Sequence, residues 1–245
     1  MTEPAPRKSD LGIRVASAVV MVAVAGTALW FGWGIWAFFV VAVGFLCFAE
    51  FSRLIWMSVS NPALQGICLL AAGAYVALPA AEIAGMRNSW IVEHDGRSAD
   101  LMGLISVLAI VGIVVATDVG AYFAGRTIGG PKIAPRISPS KTWAGLVGGA
   151  VAAATWGVIV NYWFHQVAGP DLRTPLQNQQ MFAALSGAVL AVVAQTGDFF
   201  ESWLKRRAGV KDSSNLIPGH GGVFDRVDGL LPVIIVSVIF HVGPL

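Results

Sequence analysis

The stretch Ser202–Asp228 reads SWLKRRAGVKDSSNLIPGHGGVFDRVD, and its composition is foreign to the chain around it. The 245 residues are 56% apolar and 12% charged; soluble proteins usually carry about 25% charged residues. Yet ten charged residues fall between Asp198 and Asp228, five acids and five bases, so the segment is not a basic tail. It stands between two apolar runs, Met181–Phe200 and Leu230–Val242. That placement decides the fold: a mixed-charge, glycine-rich loop at the face of a membrane. Acids beside bases beside glycines suit a metal and a polyphosphate bound together. Carboxylates take the cation, Lys and Arg take the phosphates, and small residues let the backbone approach.

Five more apolar runs precede these two: Val15–Phe31, Ile35–Phe51, Leu64–Ala84, Leu101–Thr117 and Trp143–Tyr162. A helix needs about 20 apolar residues to cross a hydrocarbon core about 30 Å thick. With a mean hydropathy of +0.71, the pattern predicts an all-α, polytopic transmembrane helical bundle of about seven spans. The alternating ten-residue segments of an outer-membrane barrel are absent. Ala23-Val24-Ala25 resembles a signal-peptide cleavage site, but apolar character resumes at Ile35, so a helical hairpin turning at Gly32-Trp33-Gly34 is preferred. Glu50 and Arg53 mark the end of the second span, and Arg87–Asp100 reads as a polar loop.

Alternating the spans from an inside N-terminus puts 13 of the 16 basic residues on the inner side and leaves only Arg87, Arg97 and Arg173 outside. The expected organisation is a cytoplasmic tail (residues 1–14), N-terminal spans (15–117) and a C-terminal catalytic membrane domain (118–245). Both unusual loops then face the cytoplasm, where nucleotides and Mg²⁺ are available; a bacterial inner membrane is the expected location. Cys47 and Cys68 lie in apolar runs and read as small buried hydrophobes. The nine tryptophans read as interface-belt or span residues, so a nucleic-acid partner is not expected.

The second unusual stretch, Asp118–Thr142, is DVGAYFAGRTIGGPKIAPRISPSKT. If the preceding helix continues, Asp118, Tyr122 and Arg126 share one face. Ser138, Lys141 and Thr142 lead into the fifth span. They read either as a phosphate cradle at a helix start or as an ordinary N-cap with a positive anchor, and the second is favoured on this stretch alone. At the end of the sixth span Asp198, Glu201, Ser202 and Lys205 form one stripe. A carboxylate near the membrane boundary needs a partner, which points to function for Asp198, whereas Glu201 can simply pair with Lys205. Asp225 and Asp228, three apart, can present to one cation. His220 among glycines can serve as base, ligand or phosphate donor; His94, His165 and His241 read as structural.

The segment Ser202-x-Leu204-Lys205-Arg206-x4-Lys211-Asp212-x-Ser214-x2-Ile217-Pro218-x-His220-Gly221-Gly222-Val223-x-Asp225-Arg226-Val227-Asp228 resembles the signature of the phosphatidate cytidylyltransferases, or CDP-diacylglycerol synthases. Asp118-x-Gly120-Ala121-Tyr122-x2-Gly125-Arg126 and Ile137-Ser138-Pro139-x-Lys141-Thr142-Trp143 also match that family, whereas the first hundred residues match only as apolar spans. An acid common in relatives after the Lys-Thr-aromatic run is Ala144 here, so no metal or base role is placed there.

The resemblance implies transfer of a cytidylyl group from CTP to phosphatidic acid, giving CDP-diacylglycerol and pyrophosphate. It implies a Mg²⁺-dependent site with Asp198 and Asp225 as the core of a two-cation centre, and Glu201 and Asp228 as further metal candidates. Lys205, Arg206, Lys211 and Arg226 are expected on the triphosphate or lipid phosphate, Lys205 and Lys211 with a catalytic role. Ser138, Lys141 and Thr142 close the site from the other loop, and Asp118, Tyr122, Arg126, Ser202, His220, Gly221 and Gly222 complete the substrate-binding set. The expected partners are CTP, phosphatidic acid and the bilayer, with a homodimer left open. A CTP-dependent enzyme on another lipid, such as a polyprenol kinase, is the nearest rival. A transporter using Asp118 and Asp198 as an ion path is a further one.

Overall fold

The computed structural model describes residues 11–88, 96–168 and 176–240. Its long helices are α1 (Leu11–Phe31), α2 (Trp33–Ser58), α3 (Pro62–Asn88), α4 (Gly96–Thr127), α5 (Trp143–Ala168) and α6 (Leu176–Arg207). A small antiparallel hairpin, β1 (Lys132–Ala134) with β2 (Ser138–Thr142), joins α4 to α5. After α6 come a single turn, α7 (Phe224–Val227), and α8 (Leu230–Phe240). The chain is an all-α membrane bundle, and among the described residues six helices are long and apolar enough to cross a bilayer. The expected seventh span is α8, only 11 residues long. At about 1.5 Å per residue it covers roughly half the core. Its Leu231, Val233 and Ile234 are buried and its Val238 and Ile239 exposed. The expected end at Val242 lies outside the described residues.

The hairpin between α1 and α2 turns at Gly32, whose φ of 60° suits a residue without a side chain. A Cβ there would meet the Arg87 guanidinium at 2.9 Å. Arg87 was expected in a loop; it belongs to α3 and is buried. Its guanidinium donates to the carbonyls of Leu29 (2.9 Å) and Trp30 (3.4 Å), which the last turn of α1 leaves without helical partners. A cation at a helix C-terminus also opposes the macrodipole. The second span likewise outruns its expected end, because α2 continues to Ser58 and Glu50 lies buried within it.

Helices α4, α5 and α6 pack backbone to backbone. A Cβ on Gly120 would overlap the Gly148 carbonyl, one on Gly157 the Ala183 carbonyl, and one on Gly187 the Ala153 carbonyl. Where lipid tails remove the usual hydrophobic drive between helices, such small-residue contacts hold a bundle together through close packing. Apolar residues collect in two clusters. One surrounds Ile110, Leu190 and Val233; the other includes Phe51, Leu54, Leu204 and Phe224. The second underlies the signature loop: Phe224 is fully buried and stacks on Phe51 at 4.8 Å. Contacts among the start of α1, the far halves of α2, α4 and α6, and the β-hairpin gather the polar chemistry at one end of the bundle. Both cysteines are free thiols.

Candidate active site

The stripe expected on α6 forms. Lys205 Nζ lies 2.6 Å from Asp225 Oδ1 and pairs with Glu201 one turn back on its own helix. Asp198 pairs with Lys141, brought in from β2. Both carboxylates expected at a metal core therefore face an ammonium group, each a different one. Glu201 is 2% exposed and its Oε1 has no hydrogen-bond partner. A buried carboxylate oxygen left without a donor is costly, so this atom marks a place that suits a cation.

Asp228 approaches from the other side, because Gly197 on α6 lies against its backbone carbonyl. Burial, with the charge of Asp198 behind it, pushes the Asp228 carboxyl up to about 7. Burial also disfavours the charged form of Asp225, but its hydrogen bonds with Glu201, Lys205 and the Gly222 N–H outweigh that and hold its carboxyl well below the usual range. Among the described residues, no three His, Cys, Asp or Glu side chains converge as a ready-made metal cage.

The loop carrying Asp225 is held from α2. Glu50 Oε1 accepts from Ser214 Oγ (2.6 Å) and the Val223 N–H (3.0 Å), while Oε2 accepts from Ser213 Oγ (2.9 Å) and the Phe224 N–H (2.8 Å). Arg53, one turn along, donates to the Ser213 carbonyl at 3.2 Å. Asp225 Oδ2 in turn accepts from the Ser213 N–H (3.0 Å) and the Gly222 N–H (2.7 Å), and lies 2.9 Å from Ser213 Oγ, whose one proton it shares with Glu50. Neither Glu50 nor Ser213 is among the residues expected at the site. The usable signal was Glu50 itself, a carboxylate inside an apolar run that has to be satisfied by something.

Two polar chambers lie in this region. The first, about 360 Å³, is lined by Asp118, Tyr122, Arg126, Lys141, Thr142 and Asp198 among others. Helix α4 does continue past Thr117, so the expected face of Asp118, Tyr122 and Arg126 exists, and Arg126 donates to the Tyr122 hydroxyl at 3.1 Å. The second, about 480 Å³, is lined by Arg14, Lys211, Asp212, His220, Gly221 and Arg226 among others. Arg14 and Ser17 of α1 were not anticipated there. Ser17 Oγ donates to the Pro218 carbonyl at 2.9 Å and lies 2.8 Å from His220 Nδ1. Gly219, at φ 75°, leaves space for Arg14; a Cβ would sit 2.8 Å from Arg14 Cγ.

At the start of α5, among Ser138, Lys141 and Thr142, the favoured N-cap reading holds for Thr142. Ser138–Thr142 is a strand, Ser138 is buried in it, and Thr142 Oγ1 accepts the Gly145 N–H at 3.0 Å, capping α5. Only Lys141 and Thr142 of that trio line the first chamber. Ser202 and Arg206, on α6, line neither chamber, and Gly222 sits behind Asp225 rather than at an opening.

Residues 83–242 match the model of the cytidylyltransferase family. The chain is 35% identical over 254 residues to the phosphatidate cytidylyltransferase of Brucella melitensis, covering 91% of this chain and 90% of that protein. It is 44% identical over 128 residues to the phosphatidate cytidylyltransferase of Haemophilus influenzae, covering 52% of this chain and 42% of that one. The Pseudomonas aeruginosa phosphatidate cytidylyltransferase is 38% identical over 128 residues, with 52% and 44% covered.

Proposed function

The chain belongs to the phosphatidate cytidylyltransferase family, and from that premise we propose that it transfers the cytidylyl group of CTP to phosphatidic acid, yielding CDP-diacylglycerol and pyrophosphate. The observation that carries the reading is the ion-pair chain Glu201–Lys205–Asp225 where α6 meets the signature loop, with Asp198 about one turn back on α6, paired with Lys141 and lining the first chamber. We place the protein in a bacterial inner membrane with this end of the bundle in the cytoplasm, following the distribution of its basic residues.

A phosphate oxygen of phosphatidic acid is already a nucleophile, so the site needs no strong general base. Its task is to align two phosphates and neutralise their charge. The second chamber, with Arg14, Lys211, His220 and Arg226, suits the triphosphate. The first, with Arg126 and Lys141, suits the lipid phosphate. Its α4 wall carries exposed Val119, Tyr122 and Phe123, a surface for acyl chains that never leave the bilayer. The donor set fits a hard divalent cation: Asp198 and Asp225, with Glu201 and Asp228, are all oxygen ligands, and Glu201 Oε1 is buried without a donor. Mg²⁺ bound there would supply charge neutralisation at the triphosphate, and a second cation belongs to the same reading. In its absence Lys141 pairs with Asp198, and Lys205 with Asp225.

Membranes holding the protein, given phosphatidic acid and CTP labelled at the α phosphorus, are expected to place label in lipid; CTP labelled at the γ phosphorus is expected not to. Label in lipid from the γ position alone identifies a kinase and overturns the reading. Arg14→Ala is expected to raise KM for CTP by about tenfold, as loss of a charge-assisted contact does, with KM for phosphatidic acid unchanged. Steady-state kinetics varying each substrate in turn decide this; an unchanged KM for CTP removes the triphosphate from the second chamber.

A further inference from the structure

Glu50 stands on α2, upstream of the residues 83–242 that match the family model. We propose that Glu50 is a positioning residue for the transfer reaction: through Ser213 it sets the orientation of Asp225. The inference rests on the metal role assigned to Asp225 under the proposed function.

A carboxylate 6% exposed within a membrane helix is sustained only by a full set of partners. Glu50 has four polar partners, and they come in two pairs: the hydroxyls of Ser213 and Ser214, the first of them shared with Asp225, and the N–H groups of Val223 and Phe224. These pairs bracket the glycine-rich turn, so one side chain closes both ends of it. Ser213 is the link. Its hydroxyl has one proton and lies 2.9 Å from both Glu50 Oε2 and Asp225 Oδ2, bridging two carboxylates. Its N–H donates to Asp225 Oδ2 and its carbonyl accepts from Arg53. Ser213 is thus held at its carbonyl and hydroxyl by two residues one turn apart on α2. Oδ2 of Asp225 accepts from the N–H groups of Ser213 and Gly222 and shares the Ser213 hydroxyl proton with Glu50, which leaves Oδ1 turned toward Lys205. The direction of the working oxygen is therefore set by a helix outside the signature. Partners of metal-ligating carboxylates commonly have this effect, and their loss lowers metal affinity or activity about 10–100-fold.

The test uses the purified full-length protein in detergent and two variants. Glu50→Gln replaces one acceptor oxygen by an NH₂ facing donors; Ser213→Ala removes the bridging hydroxyl alone. Three quantities are measured: thermal stability, Mn²⁺ binding without substrate by electron paramagnetic resonance, and CDP-lipid turnover per folded protein. Both variants are expected to weaken Mn²⁺ binding by about tenfold or more and to lower kcat comparably, with KM for phosphatidic acid unchanged. Ser213→Ala is expected to unfold within a few degrees of the parent. Mn²⁺ affinity and kcat within about twofold of the parent in Ser213→Ala, with Glu50→Gln losing only folded yield, would make Glu50 a folding clamp and overturn the proposal. A parent protein that forms no CDP-lipid defeats the functional reading first, and the positioning role with it.

Discussion

Asp225→Asn is expected to lower CDP-lipid formation by at least about 10³-fold while leaving the protein inserted and folded. The expectation follows from what the substitution keeps. An Asn side-chain oxygen can still accept from Ser213 and Gly222, which hold Oδ2 now, so the loop keeps its local hydrogen bonds. Lys205 keeps Glu201 as a partner, so no ammonium group is stranded. What disappears is the negative charge where a divalent cation is proposed to bind, replaced by an amide NH₂ facing Lys205. A rate loss of 10³ corresponds to about 4 kcal/mol of transition-state stabilisation, within the range a metal-binding charge supplies. Turnover per folded enzyme, measured with lipid substrate in detergent, reads the result. A loss smaller than about tenfold would make Asp225 a structural anchor only.

Gly222→Ala is expected to be nearly as damaging by a different route. A Cβ at this position would overlap both Ser213 Oγ and Glu50 Oε2, the pair on which the loop closes. Neither can retreat easily, since Ser213 is also held by Arg53 and Asp225, and Glu50 is fixed within α2. The loop must lift from α2, and Asp225 loses the Gly222 N–H as well as its alignment. The bundle should persist, because the cluster around Ile110, Leu190 and Val233 contains no residue of this loop. Faster tryptic cleavage at the exposed Lys211 or Arg226, together with turnover lowered by about 10²-fold or more, is the expected signature. A loop as protease-resistant and as active as the parent's would show that the site tolerates the shift.

Spans were legible because a run of about 20 apolar residues has few other uses, and the stripe on α6 because helical spacing is regular. The β-hairpin was not: strands of 3 and 5 residues, one of them reading SPSKT, carry no alternating pattern to detect. Arg87 was misplaced for a related reason. Counting charges sorts loops by side but says nothing of a guanidinium drawn inward to cap a neighbouring helix. The signature loop displayed its acids and bases openly, yet which pairs form depends on the fold. Lys141 with Asp198 and Lys205 with Asp225 join segments 57 and 20 positions apart. Glu50 is the extreme case, bonded to residues 163 to 174 positions away. Its carboxylate was visible; its correspondents were not.

The seam of α4, α5 and α6 bears on how tightly the two carboxylates of the first chamber are registered. Asp118 and Asp198 ride on α4 and α6, which meet α5 glycine against carbonyl at Gly120, Gly157 and Gly187, so at those contacts no long side chain stands between the helices to absorb an error. Spacing at the chemistry is thus a dimension of the bare main chain, transmitted from within the lipid. One methyl group added at Gly187, about three turns from Asp198 on the same helix, would widen the gauge of the reaction chamber as surely as a change in its own wall.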